Sequence, residues 1–218
     1  MRLIELFKPM ITMKQFLLLI AIILLVGCEF GTNVETISST IEKVSAQNNS
    51  EIKFEYSSKE KLIVTVNDKR LVEDAFLLGK ILFEIDQQLL KERIVIKKYL
   101  IRSKVDKNMF LNLNSDLLHQ ILERKKKAEA YLKLYSQNPN KIIDYLNKDL
   151  LKNKEILDFF KTVNETKHWS KSEFNGFNIY PLNGTNYLFF EFVTHKESFQ
   201  ICLNSDNSDN DIYGLIIE

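Results

Sequence analysis

Cysteine is nearly missing from this chain. Cys28 and Cys202 are the only two among 218 residues. That is too few for the disulfide framework that holds small secreted folds, so the core must be noncovalent. Proline (three) and glycine (six) are also scarce, and no Pro-, Gly- or Ser-rich linker or internal repeat divides the chain. Neither sign of charge dominates. Thirty Lys and Arg face 29 Asp and Glu, a formal net charge of +1, so there is no global field to draw in nucleic acid. No nucleic-acid partner is expected. The three histidines, His119, His168 and His195, lie outside helical reach of one another and of cysteine, so no zinc spacing exists. G-x-S-x-G, Walker and H-E-x-x-H patterns are absent. The reading is therefore no catalytic residue, no metal and no cofactor. A site assembled across the fold stays open as the alternative, because such sites are recognised by geometry.

What is present begins with an apolar run. Phe16 to Gly27, FLLLIAIILLVG, carries no charge. It is too short for a spanning helix, which needs about 20 apolar residues. It fits the apolar core of an export signal, with Lys14 as the positive flank and a small residue, Gly27, at the end. The run stops at Cys28 and turns acidic at Glu29. Leu25-Val26-Gly27-Cys28 resembles the lipobox of bacterial lipoproteins, a resemblance confined to the export segment. It implies that a signal peptidase recognises Leu25, Val26 and Gly27. It further implies that the Cys28 thiol takes a diacylglyceryl group, that cleavage precedes Cys28, and that fatty acyl chains such as palmitate hold the protein to a bilayer. Residues 1–27 are then a signal peptide. The stretch MRLIELFKPMIT, with Glu5 and Pro9, is long for a leader. Translation is expected to start at Met13 or Met10, with the upstream residues a gene-boundary artefact. With Cys28 acylated, Cys202 has no partner in the chain.

Removing the leader leaves a length suited to one domain with a substantial core. Hydrophobic content of 45% and charged content of 27% are those of a globular protein. Residues 28–50 are polar and read as the lipidated cysteine and a flexible tether, although Val34, Ile37, Ile41 and Val44 also fall at helical spacing. The folded domain is expected over 51–218. Ile52, Phe54 and Tyr56, then Leu62, Val64 and Val66, alternate as a hairpin. Asn67-Asp68 offers a cap for a helix lined by Leu71, Ala75, Leu78, Leu82 and Ile85. RIVIKKYLI (93–101) reads as a strand, completing β-β-α-β. A long helix from Asn114 or Ser115 to Gln137-Asn138-Pro139 follows. Two shorter helices come next, around 142–151 and 156–163. Asn183-Gly184 marks a two-residue hairpin. YLFFEFV (187–193) has the continuous apolar character of a central strand, and strands around 199–203 and 212–217 end the chain. The fold class is α+β: a single domain, a mostly antiparallel sheet, helices on one face.

Candidate sites are few. Asn207, Asp209, Asp211 and Glu218 match positions 1, 3, 5 and 12 of a calcium loop, but Ile212 occupies the position that needs glycine, so a solvated hairpin loop is expected. Arg124 to Lys127 form a basic run, read as a solvated face rather than a lipid-headgroup site. Aromatics are dense from Trp169 to Phe192 and at strand spacing belong to a core. Trp169 and Phe174 lie in a segment without periodicity, so they are the first place to look for a partner-binding patch. The chain reads as a lipid-anchored protein of the cell envelope, periplasmic or surface-facing. Its partners are the bilayer, through acylated Cys28, and an unidentified envelope protein. The alternative is an anchored enzyme or small-ligand carrier.

Overall fold

The computed structural model describes residues 33–57, 60–162, 169, 171–205 and 212–217. The signal segment, Cys28 and the acidic loop lie outside these residues. The first helix, α1 (33–48), corrects the tether expectation for this stretch. Ile37, Ile41 and Val44 form one helical stripe and are at most 2% exposed, so they belong to the core. The helix closes at Asn49, whose φ is 51°. The Ser50 N–H donates to the Ser45 carbonyl at 3.1 Å and the Asn49 N–H to the Ala46 carbonyl at 3.3 Å. This satisfies orphan carbonyls and aims the chain into the first strand.

β1 (Glu51–Ser57) and β2 (Lys61–Asn67) pair antiparallel as expected, with Ile52 opposite Val66, Phe54 opposite Val64 and Tyr56 opposite Leu62. Asp68 caps a short 3-10 turn, Lys69–Val72, and not the following helix. That helix, α2 (Leu77–Lys91), starts later, where Asp74 Oδ1 accepts from the N–H groups of Phe76 and Leu77 at 2.8 and 3.1 Å. The strand expected from residue 93 begins only at Lys98. Residues 92–94 terminate α2, with Arg93 at φ 61° and the Ile94 N–H bonded to the Leu89 carbonyl at 2.9 Å. β3 (Lys98–Ser103) then pairs parallel to β2, and β4 (Phe110–Asn114) antiparallel to β3.

α3 (Ser115–Gln137) is capped by Asn114, whose side chain accepts from the Leu117 N–H at 2.8 Å. Of the two shorter helices expected next, the first is instead two 3-10 turns, Pro139–Tyr145 and Leu150–Lys152, and the second is α4 (Lys154–Thr162). β5 (Glu173–Leu182), β6 (Thr185–Val193), β7 (Ser198–Asn204) and β8 (Ile212–Ile217) form a second sheet in sequence order, antiparallel throughout. Asn183 and Gly184 both have positive φ, the primed turn that matches strand twist. The α+β single-domain expectation holds, but the strands divide into two four-stranded sheets.

The closest joint between them is a helix-on-strand crossing. α2 packs on β5 with backbone against backbone. A Cβ at Gly79 would stand 2.0 Å from the Phe177 carbonyl oxygen. A Cβ at Gly176, where φ is +147° and β5 carries a bulge, would stand 2.2 Å from the Phe76 carbonyl oxygen. Each glycine makes room for the other element. α3 packs along β4, β6 and β7, and one continuous apolar core runs from Ile37 to Ile212.

Candidate functional site

A cleft of about 430 Å³ opens beside β8. Leu146, just past the first 3-10 turn, and Leu150 of the second form one wall, and Ile156, Phe160 and Glu155 of α4 a second. Gly214, Leu215 and Ile217 of β8 form the third. The sequence builds it locally. Pro139 stops α3, and fully buried Ile142 and Leu146 pin the irregular segment to the core. The Asn147 N–H then donates to the Ile212 carbonyl at 2.8 Å, and Leu146 bridges Ile212. That bridge occupies only the first residue of β8. Among the described residues no further strand pairs with the outer edge of β8. Ile216 is 44% exposed there. The cleft is mostly apolar, with Glu155 the one charged lining residue among those described. It can take apolar side chains, and among the described residues the strand edge beside it has no neighbouring strand beyond the Leu146 bridge.

A second cleft, about 350 Å³, runs between α3 (Glu129, Leu132, Lys133, Ser136, Gln137) and the aromatic pair singled out from sequence, Trp169 and Phe174, together with Ser172 and Phe192. The pair does converge. As an exposed patch, however, it needs correcting. Trp169 is 2% exposed and stacks edge-on against Phe199 at 5.4 Å, with Tyr135 on Phe199 at 5.3 Å. These rings take it inside and leave little surface for a partner. Phe174 is half-buried, 5.3 Å from Phe83 and 5.8 Å from Phe192.

The basic run also departs from a solvated face. Arg124 is 3% exposed. The Lys125 side chain is only 15% exposed, its ammonium 4.6 Å from the Phe174 ring centre, 5.1 Å from that of Phe83, and bonded to Glu129. Helical period turns these two inward, where the rings of α2 and β5 meet the cation faces-on. Lys126 does stand in solvent, paired with Glu123 at 2.7 Å.

Asp68, read from the sequence only as a helix cap, and Asp86, not singled out there, are buried carboxylates with partners. Asp68 receives Ser50 Oγ at 2.5 Å and the Arg70 guanidinium at 2.6 Å, and Arg70 also donates to the Asn48 carbonyl. The guanidinium beside it holds the Asp68 carboxyl down at about 2. The cluster ties the end of α1 to the end of β2. Asp86 on α2 accepts from the Tyr99 hydroxyl at 2.8 Å, and burial raises its pKa. The only hint in the sequence was an acidic residue on the apolar side of α2.

The remaining sequence candidates stay apart. His119 is exposed and lines a cavity of about 250 Å³ with Asp86, Ser115 and Asp116. His195 is exposed at the turn between β6 and β7. Burial pushes the Cys202 thiol up to about 12, which keeps it protonated and unreactive. Among the described residues no cluster of His, Cys, Asp and Glu is placed to hold a metal, and no helix is long and apolar enough to cross a membrane. No family model, curated protein or solved structure matches this chain.

Proposed function

We propose that this chain is a lipoprotein of the bacterial cell envelope. It is anchored through acylated Cys28, and its folded domain binds another envelope protein without catalysis. The anchor rests on the apolar run ending in Leu25-Val26-Gly27-Cys28. The observation that carries the binding is the apolar cleft along the outer edge of β8. An extended segment of a partner adds backbone hydrogen bonds to such an edge and sets alternate side chains into the adjacent cleft. The same apolar lining favours a second reading, a carrier of a small apolar ligand.

Two measurements test this. Mass spectrometry of the mature amino-terminal peptide should find Cys28 first and carrying a diacylglyceryl mass. An unmodified cysteine, or a start elsewhere, overturns the anchor. A photocrosslinking residue at Leu215 in living cells should trap one discrete protein, and Ile156→Asp should abolish the product. The same crosslinker at exposed Lys53 should not trap it. A crosslink to a small apolar molecule at Leu215 decides for the carrier. No product from Leu215 ends both readings of the cleft.

A further inference from the structure

We infer that the end of the molecule formed by the last turn of α2 and residues 92–98 rests on an anionic lipid bilayer. This inference depends on the Cys28 anchor proposed above. The anchor is close. From Cys28 to Asn33, where the described helix begins, is five residues, which span at most about 17 Å fully extended. Whichever end of the body holds the start of α1 therefore sits near the headgroups.

The contacts identify that end. Lys43 Nζ reaches Gln88 Oε1 at 3.4 Å, and Asn48 Nδ2 reaches Glu84 Oε2 at 2.5 Å. Later residues of α1 thus meet earlier residues of α2, so the helices run in opposite directions. The beginning of α1 lies at the end of α2. The other constraint agrees: Asn48 is tied through Arg70 to the end of β2, which leaves α1 to start at the opposite pole. At that pole β2 and β3 begin together, with Lys61 beside Lys98, and Ser115 donates to the Lys97 carbonyl at 3.0 Å.

The surface there has the chemistry of a headgroup layer. Lys91, Arg93, Lys97 and Lys98 are all exposed. Against them stand Glu92, Glu60, which pairs with Lys97, Asp116 and, on the first turn of α1, Glu35. Among the cations two large apolar side chains face solvent: Leu90 at 44% exposure and Val95 at 61%. Both rim the small cavity floored by Ile96, Leu118 and Leu122. Cations with flanking apolar residues match a bilayer interface, where phosphates meet the ammonium and guanidinium groups and the apolar tips enter the boundary. The bilayer is the expected occupant because the acyl chain delivers this pole to it.

The test compares lysines within one molecule. Lys97 is as exposed as Lys53, Lys126 and Lys152, at 69% against 73%, 70% and 76%. The full-length processed protein is placed in vesicles of phosphatidylcholine with phosphatidylglycerol and labelled with a water-soluble acetylating reagent. Rates are normalised to the protein in detergent. Lys91, Lys97 and Lys98 should label several-fold more slowly than the other three. The double variant Arg93→Glu, Val95→Asp should remove that difference. Pure phosphatidylcholine should weaken it, and equal protection there counts against headgroup charge. Uniform labelling of all six lysines, with Cys28 shown to be acylated, overturns the inference and leaves the anchor standing. An unmodified Cys28 overturns both.

Discussion

The two sheets hold their interiors by different chemistry. Around β1–β4 the core is aliphatic, with Leu62, Val64, Val66, Ile81, Leu82 and Ile101 all fully buried. Two carboxylates are buried among them: Asp68, clamped by an arginine, and Asp86, clamped by a tyrosine. Around β5–β8 the core is aromatic, built on Phe177, Phe190, Phe192, Phe199 and Trp169. Its buried carboxylate, Glu191, meets two neutral amides, Asn175 at 2.6 Å and Gln200 at 2.9 Å. The first half therefore carries acid-sensitive ties between its elements, and the second is built on ring packing. The ties sit where separate elements meet: Asp68 joins α1 to β2, and Asp86 joins α2 to β3.

The comparison breaks most completely at the joint. Gly79→Ala forces a methyl into the Phe177 backbone, which cannot rotate away, so a loss above about 4 kcal/mol is expected. Urea unfolding followed by circular dichroism would show it, and a wild-type midpoint would mean that the halves do not depend on this contact. Within the aromatic half, Phe199→Ala removes the ring shared by Tyr135 and Trp169 and should cost about 3–5 kcal/mol. The sole tryptophan, Trp169, gives that half its own fluorescence signal. Its transition should coincide with the loss of far-ultraviolet dichroism, since α2 couples the sheets, and two separated transitions would show that they fold independently.

The first half is sharpened by acid. The folded pKa of Asp68 is about 2, below the ordinary unfolded value near 3.9. Its contribution is complete above pH ~3.9 and is lost as the pH falls through ~2, on the order of 2 kcal/mol in all. Asp68→Asn should lose that amount at neutral pH and flatten the stability profile across the same window. Asp86 has the opposite sign. Its pKa is raised by burial, so its carboxylate is a liability at neutral pH that protonation relieves. Asp86→Asn keeps an acceptor for Tyr99 and should be neutral or slightly stabilising at pH 7, the smallest effect of the set. A clear destabilisation there would show that the negative charge itself is needed.

Local pattern explains what the sequence disclosed. Ile52, Phe54 and Tyr56 alternate, Asn183-Gly184 can adopt positive φ, and Asn114 opens a long stripe that Pro139 closes. Each is a signal contained in a few neighbouring residues. What stayed hidden depends on distant partners. No pattern in β2 announces a parallel neighbour, and β4 is too short to stand out. Ile94 and Ile96 alternate like a strand although residues 92–94 close α2 and 95–97 run as irregular chain into β3. The stripe of Ile37, Ile41 and Val44 in α1 stood at visible helical spacing, but among Glu35, Ser38, Ser39 and Glu42 nothing announced that it is buried. Trp169 is buried because Phe199 is there, and Lys125 is drawn in by Phe83 and Phe174. Gly79 and Gly176 acquire meaning only when their elements cross. Of the sequence-named pair, convergence on one cleft could be guessed from proximity, whereas burial of the indole could not. The β8 cleft needed the irregular chain after Pro139, which carries no periodicity.

The crossing of α2 over β5 also imposes a schedule. A chain made from its amino terminus completes α1, β1, β2, α2, β3 and β4 first. Gly176 follows Gly79 only after roughly a hundred further residues. That whole stretch must emerge before the partner strand exists. Until then, the flank of α2 shaped for a strand has no strand to receive. Any passing extended segment, from this chain or from another, competes for that vacancy. The joint that later makes one body of two sheets is thus also the step at which a young chain is most open to the wrong companion.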